Sequence, residues 1–354
     1  LDASFQDPRA QIAAVIGDLQ QGGRAQDAAR ATERLAAIRA RARDAILRPP
    51  FNERDRAHGG RMASPTPELV DKKILITGPA GQIALPLTLA LAKDNDVWGV
   101  ARFGDAKARE RVEAAGVTTR AIDLADGEFG DLPRDFDYVL HLAVYMADGL
   151  DYDHALRVNA EGTGLLMSHC RDAKACLVVS TSGVYDLNDD PAHLFREDDP
   201  LGDSRQPYSP TYAISKIAQE ATARWAAREF GLPTTIARMN VSYSGNGGLP
   251  AYHLDAMLQD QPIVLPASPD GERRRPPLFN PIHQDDINAQ VPKLLGVASV
   301  PATILNWAGD DAVDPETWCR HLGDLVGKPP KFEYRDAAIP GRGTDNARRI
   351  AAIG

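Results

Sequence analysis

The sequence predicts an α/β chain built on a doubly wound parallel sheet, and three observations carry that prediction. A short apolar run, Lys73-Ile74-Leu75-Ile76-Thr77, has charge before it and glycine after it, the pattern of a strand buried on both faces. It turns tightly at Gly78 and Gly81 into an apolar-rich helical stretch over 83–92. Beyond it, strand-length and helix-length segments alternate as far as Ala237, as a parallel sheet with covering helices requires.

Residues 8–48 precede this core. Ile12, Val15, Ile16 and Leu19 recur at helical spacing, Gly22-Gly23 interrupt, and Leu35, Ile38, Ala42 and Ile46 form a second stripe. They predict a helical hairpin over 1–50, an arm for packing or dimerisation, then a Pro-, Gly- and charge-rich linker over 51–71. Strands are expected at 73–77, 97–100, 118–122, 138–142, 177–180 and 234–237, with further helices over 151–170 and 211–230. Together they make a dinucleotide-binding domain over 72–240. Past Arg238 the rhythm becomes irregular, with Gly and Pro scattered over 244–281. That predicts a small, mainly substrate-binding region over 241–354, with some elements returning to the dinucleotide-binding domain, placed above the strand ends where such folds bind ligands.

Composition narrows the function classes. The chain has 354 residues, 43% hydrophobic and 25% charged, as an ordinary soluble globular protein does. A net charge of -9 disfavours nucleic acid, whose phosphates need clustered Lys and Arg. No apolar run is long enough to span a bilayer and no signal peptide is visible, so no membrane partner is expected. Cys170, Cys176 and Cys319 form neither a disulfide framework nor a metal-ligand spacing, which predicts a reducing compartment, the cytoplasm, and no metal.

The glycine turn carries the first chemistry. A strand, a small-residue turn and a helix leave backbone N–H groups free at a helix N-terminus, where a pyrophosphate binds. Gly78 and Gly81 let the backbone approach it, and Ala84 lets helix and strand pack closely. Gln82 and Ile83, between the second glycine and Ala84, are counted among the cofactor contacts. The second strand, Val97-Trp98-Gly99-Val100, then selects the dinucleotide. Ala101 stands where enzymes that prefer NAD keep an acid for the ribose hydroxyls, and Arg102 follows it. A guanidinium there suits the extra phosphate of NADP, so NADP is expected, with NAD as the alternative.

Two later stretches supply a reacting set. Ser180-Thr181-Ser182 ends a strand, and Tyr212 and Lys216 lie four apart on one helical face. A phenol with a pKa of about 10 is a poor base at neutral pH, and a nearby ammonium lowers that value. A hydroxyl at the neighbouring strand end can hold a substrate oxygen in line with the ring.

With these motifs together, residues 73–354 resemble the extended short-chain dehydrogenase/reductase family, a Rossmann fold. Gly78, Gly81 and Ala84 match its G-x-x-G-x-x-[GA] turn, and Asp123-Leu124 its adenine-side acid after strand three. His141-Leu142-Ala143 looks like the motif lining the cofactor, and Asn159 with Gly162-Thr163 matches N-x-x-G-T. The resemblance implies that Thr181 is the catalytic hydroxyl, with Ser182 as fallback, and Tyr212 the acid/base. It also implies that Lys216 holds the nicotinamide ribose while lowering the phenol's pKa. Asp123, Leu124, Leu142, Ala143 and Asn159 become cofactor contacts. The late Ile282-His283-Gln284-Asp285-Asp286 resembles the family's H-x-D-D and is read as structural. Asp345, Arg348 and Gly354 look like its closing segment.

Departures from the family choose among activities. Sugar dehydratases carry Asp-Glu after the catalytic Thr; Ser182-Gly183 stand here, which removes that reading. Epimerases usually retain NAD, against which the missing acid at Ala101 argues. They commonly place an Asn three residues after the strand-six Arg, whereas Asn240 comes one place early. In the other direction, Arg273-Arg274-Arg275 suit a nucleotide diphosphate. His141 is read as a buried, hydrogen-bonded histidine beside the cofactor. Tyr145, Met146, Tyr152, Tyr185, Tyr243, Tyr252 and His253 are candidate pocket walls, with Tyr145, Tyr185 and Asn240 as the candidate substrate contacts. The sequence thus ranks an NADP(H)-dependent carbonyl reductase or alcohol dehydrogenase first and a nucleotide-sugar epimerase second. A small-molecule substrate and a homodimer are expected with either.

Overall fold

The computed structural model describes residues 66–190, 192–202, 209–267, 277–335 and 341–354. The expected hairpin over 1–50, most of the linker and Arg273 to Arg275 lie outside these residues. Twelve strands are found among those described: β1 (Lys73–Thr77), β2 (Asp96–Ala101), β3 (Thr118–Ala121), β4 (Tyr138–His141), β5 (Ala175–Thr181), β6 (Thr234–Met239), β7 (Ser242–Ser244), β8 (Gly247–Gly248), β9 (Ile263–Pro266), β10 (Ile282–His283), β11 (Thr303–Trp307) and β12 (Phe332–Arg335). The helices are α1 (Ala84–Leu91), α2 (Ala106–Glu113), α3 (Tyr152–Leu156), α4 (Gly162–His169), α5 (Tyr212–Phe230), α6 (Leu249–Leu258), α7 (Gln284–Gly296), α8 (Pro315–Val326) and α9 (Ala347–Ile353).

Seven strands form one parallel sheet in the order β11-β6-β5-β4-β1-β2-β3. The order reverses between β1 and β4, and a doubly wound sheet opens its ligand crevice at that switch point, at the carboxyl ends of the strands. The alternation of side chains along each strand builds two cores. Ile74, Ile76, Leu140, Leu177 and Leu305 face one way, with Leu85, Leu87 and Ile287 of α1 and α7. Leu75, Val139, Cys176, Val178 and Ile236 face the other, with Leu166, Met167 and Ala223 of α4 and α5.

The six expected strands are all present, with ends moved by one or two residues. An element returning from the C-terminal region was expected without assigned residues; β11 is such an element and pairs with β6. The expected helix over 151–170 is divided by a wide π-helical turn at Arg157–Glu161, a form that concentrates at functional sites. Just past that turn Gly162 lies so close to Leu124 that an added Cβ would come within 2.9 Å of it. α5 closes on Gly231, whose φ of 64° suits a left-handed helix end. The C-terminal region adds a small apolar cluster around Leu254, Ile263, Phe279 and Trp318. His283 caps α7, its Nδ1 accepting from Asp285 N at 3.2 Å, as the structural reading of that motif expects. Asp345 accepts from Ala347 N and from Arg196 Nε, holding α9 to the loop after β5. Among the described residues no helix is long and apolar enough to cross a membrane.

Candidate active site

The glycine turn stands at the switch point. Gly78 has a φ of 65°, and a Cβ there would meet Ala143 Cα, just past β4, at 3.1 Å. A Cβ on Gly81 would come within 3.1 Å of Gly78 O. Glycine is therefore required twice, once for conformation and once for space. The turn is tight enough for a ligand's phosphates to approach its backbone.

Beneath the turn lies a buried polar relay. Thr77 Oγ1 accepts from Leu142 N at 3.1 Å and Ala143 N at 3.0 Å, and it contacts His141 Nδ1 at 2.7 Å. His141 Nε2 meets Thr163 Oγ1 at 2.7 Å, and Gln219 of α5 donates to the same hydroxyl at 3.0 Å. With hydroxyls on both ring nitrogens, His141 is the satisfied core histidine that was expected. Burial, and then the charge of Lys216, push its pKa down to about 3, so the ring is neutral. The relay joins β1, β4, α4 and α5, the elements that carry the site.

Thr181 ends β5, half-buried, its Oγ1 accepting from Gly183 N at 3.0 Å. Ser182 is buried, which leaves Thr181 the more accessible hydroxyl. Tyr212 is the first residue of α5 and half-buried. Lys216, one turn on, is 2% exposed and donates from Nζ to the Val179 carbonyl of β5 at 2.7 Å. Burial pushes its ammonium down to about 7, against the opposing pull of Glu220. Lys216 thus ties α5, which begins at Tyr212, to β5, which ends at Thr181, along one strand–helix seam.

The remaining expected residues divide. Arg102 is exposed directly after β2, and Asp123 after β3 accepts from Ala125 N at 3.0 Å. Leu124 is buried in the core beside Gly162. Asn159, expected as a cofactor contact, has its amide engaged within the chain. Oδ1 accepts from Tyr145 N at 2.7 Å while Nδ2 donates to Tyr145 O and Ser215 Oγ, both at 2.9 Å. It fixes the half-buried Tyr145 from below. Tyr185 is not a pocket wall. It is 0% exposed, donates to Asn306 Oδ1 at 2.6 Å and stacks on Phe195 at 5.0 Å, and burial pushes its phenol up to about 12. The one-turn helix at Ser182–Val184 carries the chain off the strand line and under the surface. Asn240 is engaged within the chain: it donates to Arg342 O at 2.7 Å and accepts from Val241 N at 2.8 Å. His253 accepts from Trp318 Nε1 at 3.0 Å, inside the C-terminal cluster.

Gln82 does more than expected. Its carbonyl accepts from Asn246 Nδ2 at 2.7 Å, its Oε1 from the Tyr252 hydroxyl at 2.5 Å, and its Nε2 reaches Ser242 Oγ at 3.3 Å. The turn is thereby fastened to β7 and α6 of the C-terminal region. Ser180, Glu220 and Arg238 were also missed as a group. They form a buried cluster behind Lys216, with Glu220 and Arg238 both 2% exposed.

Residues 74–279, more than half of the chain, match the model of the NAD dependent epimerase/dehydratase family. The chain belongs to that family. No curated protein matches it. Among solved structures, UDP-glucuronic acid 4-epimerase from Bacillus cereus, in complex with UDP-glucuronic acid and NAD, is 21% identical. The match covers 79% of this chain and 92% of that one, with a TM-score of 0.65. UDP-N-acetylglucosamine 4-epimerase from Methanobrevibacter ruminantium M1, in complex with UDP-N-acetylmuramic acid, is 20% identical over 80% and 92%, with a TM-score of 0.66. UDP-glucose 4-epimerase from Thermotoga maritima, with UDP-glucose, is 20% identical over 79% and 91%, at 0.62. At these identities the likeness is one of fold. This epimerase/dehydratase family member carries its glycine turn directly after β1, its strand-end hydroxyl on β5 and its Tyr–Lys pair on α5.

Proposed function

We propose that the chain is a nucleotide-sugar epimerase that works through a nicotinamide dinucleotide. The observation that carries it is the seam of Thr181, Tyr212 and Lys216 beside a glycine cradle at the switch point. Gly78 and Gly81 fit a pyrophosphate because any Cβ would close the cradle, and Asp123 and Arg102 lie after β3 and β2 on the adenosine side. A nicotinamide bound there supplies the acceptor and donor of hydride for a sugar carbon. Tyr212 takes the proton from the sugar hydroxyl and returns it, a contribution of about 10²–10⁴ in rate. Thr181 orients that oxygen. Lys216 lowers the phenol's pKa, and its bond to Val179 O keeps it aligned with β5.

The sequence ranks net reduction of a carbonyl first; the family match and the sugar-nucleotide epimerases of like fold favour the reverse order. Arg102 favours the second reading, an NADP(H)-dependent carbonyl reductase, because no acid stands at Ala101 to hold the NAD ribose. One experiment separates them. The purified chain is given UDP-glucose, UDP-glucuronic acid and UDP-N-acetylglucosamine with NAD or NADP, and the sugars are resolved by chromatography. Interconversion at the sugar carbon with no net change in cofactor absorbance is expected. Consumption of NADPH with simple carbonyls and no sugar interconversion would establish the reductase instead.

A further inference from the structure

Tyr212, Lys216 and Glu220 recur every four residues along α5 and so share one face. Behind the first two, the third is buried at the junction of two strands. Lys216 Nζ donates to the carbonyl of Val179 at 2.7 Å. The next residue of β5, Ser180, donates its hydroxyl to Glu220 Oε1 at 2.6 Å. The residue after that is Thr181. Successive rungs of one strand are thereby stitched to successive turns of the helix, and the following rung carries the hydroxyl of the reacting set. From β6, Arg238 grips the same carboxylate with Nε at 2.9 Å and Nη2 at 2.8 Å, while its Nη1 donates to Glu197 O at 2.9 Å. A buried carboxylate persists only when its lone pairs are met and its charge is paired, and here both conditions hold.

We propose that Glu220 is the positioning residue of this site: clamped between Ser180 and Arg238, it sets the register of α5 against β5, and its charge keeps the Lys216 ammonium protonated. The proposal rests on reading Thr181, Tyr212 and Lys216 as the reacting set. The surroundings of Lys216 leave Glu220 as its counter-charge. On β4, His141 is neutral. On β6, Arg238 is turned to Glu220, and in the loop after β5 Glu197 accepts from Asn306 N at 2.8 Å. Tyr185, beneath the Arg238 guanidinium at 4.9 Å, stays protonated at neutral pH. On its own helix, Tyr212 is the group that Lys216 serves. Burial has already brought the ammonium to about 7, so near neutral pH the loss of one counter-charge empties it of its proton. A deprotonated Lys216 no longer favours phenolate at Tyr212.

The test reads Lys216 directly. The chain has nine lysines, few enough for carbon-13 labelling at Cε, and the Lys216 resonance is assigned by its loss in Lys216→Met. It is expected to titrate near pH 7 in the parent chain and about one unit or more lower in Glu220→Gln. Ser180→Ala removes one clamp but no charge, and is expected to leave that midpoint in place while lowering kcat. With turnover in hand, the alkaline limb of kcat/KM shifts down in Glu220→Gln by the amount the resonance does, and in Ser180→Ala it does not move. Glu220→Gln leaves Arg238 unpaired. If that variant does not fold, Glu220→Gln with Arg238→Gln carries the measurement, and the same fall is expected. An unchanged midpoint in a folded Glu220 variant, or an equal fall in Ser180→Ala, overturns the proposal. Absence of turnover on every sugar nucleotide would undo the functional reading and leave this titration readable.

Discussion

Lys216→Met replaces a buried ammonium by an apolar side chain of similar length, and its effect on stability follows from the position of Lys216. The ammonium sits at about 7 in the folded chain against 10.5 ordinarily, with burial as the leading cause. That difference corresponds to about 5 kcal/mol, borne by the folded state wherever the group is charged in both states, below pH 7. Between pH 7 and 10.5 the folded lysine is neutral while the unfolded one still binds its proton. The burden therefore shrinks by about 1.4 kcal/mol per pH unit and stands near 2 kcal/mol at pH 9. Methionine carries no such burden but forfeits the bond to Val179 O, a loss of about 1 kcal/mol at any pH. The variant is expected to exceed the parent by about 4 kcal/mol at pH 6, and by about 3 kcal/mol less at pH 9. Urea unfolding of the two proteins at both pH values measures the gap. A gap that is constant or widens as pH rises refutes the reasoning, whatever its size. The same variant should have no measurable turnover, so that activity and stability move in opposite directions.

Tyr212→Phe removes the proton carrier and leaves the ring, so kcat should fall by about 10²–10⁴ while calorimetric titration shows dinucleotide affinity unchanged. Thr77→Val leaves the Leu142 and Ala143 N–H groups and His141 Nδ1 without their shared hydroxyl. Orphaned buried groups of this kind should lower stability by about 2–3 kcal/mol in urea unfolding. Arg102→Ala should weaken NADP binding by about tenfold or more and leave NAD binding unaffected, because only NADP offers the guanidinium a second phosphate. Equal loss for both dinucleotides would make Arg102 a bystander.

The elements of the sheet were legible because their causes are local. A strand buried on both faces writes itself as a continuous apolar run, and a turn with φ of 65° at Gly78 writes itself as glycine. Tyr212 and Lys216 were legible for the same reason, since a four-residue interval fixes a shared helical face. What failed depended on residues brought together from afar. Tyr185 carries the family's pattern for a residue near the pocket, yet its hydroxyl partner Asn306 lies 121 positions away on β11, a returning element to which the sequence assigned no residues. Gln82 was placed with the cofactor on its position in the turn alone. Its fastening to Asn246 and Tyr252 needed the irregular C-terminal region to be folded first. Thr77 went unremarked as one small polar residue at the end of an apolar strand. Its meaning appears only when β1 and β4 are paired, which sets it beside His141 in register.

Glu220 marks the boundary between these cases. Its interval from Lys216 was readable, and a third polar residue on a stripe that begins Tyr212, Lys216 is itself a signal on an alanine-rich helix. Its partner could not be read, because the sequence does not say that β5 and β6 flank the same helix face. Once β5 and β6 are adjacent, the pairing follows from physics alone: a carboxylate that deep requires a cation, and among the described residues Arg238 is the one that reaches it within 3 Å. The charge that tunes the site is thus a consequence of strand order, which is why altering Glu220 should change the titration of Lys216 before it changes the fold.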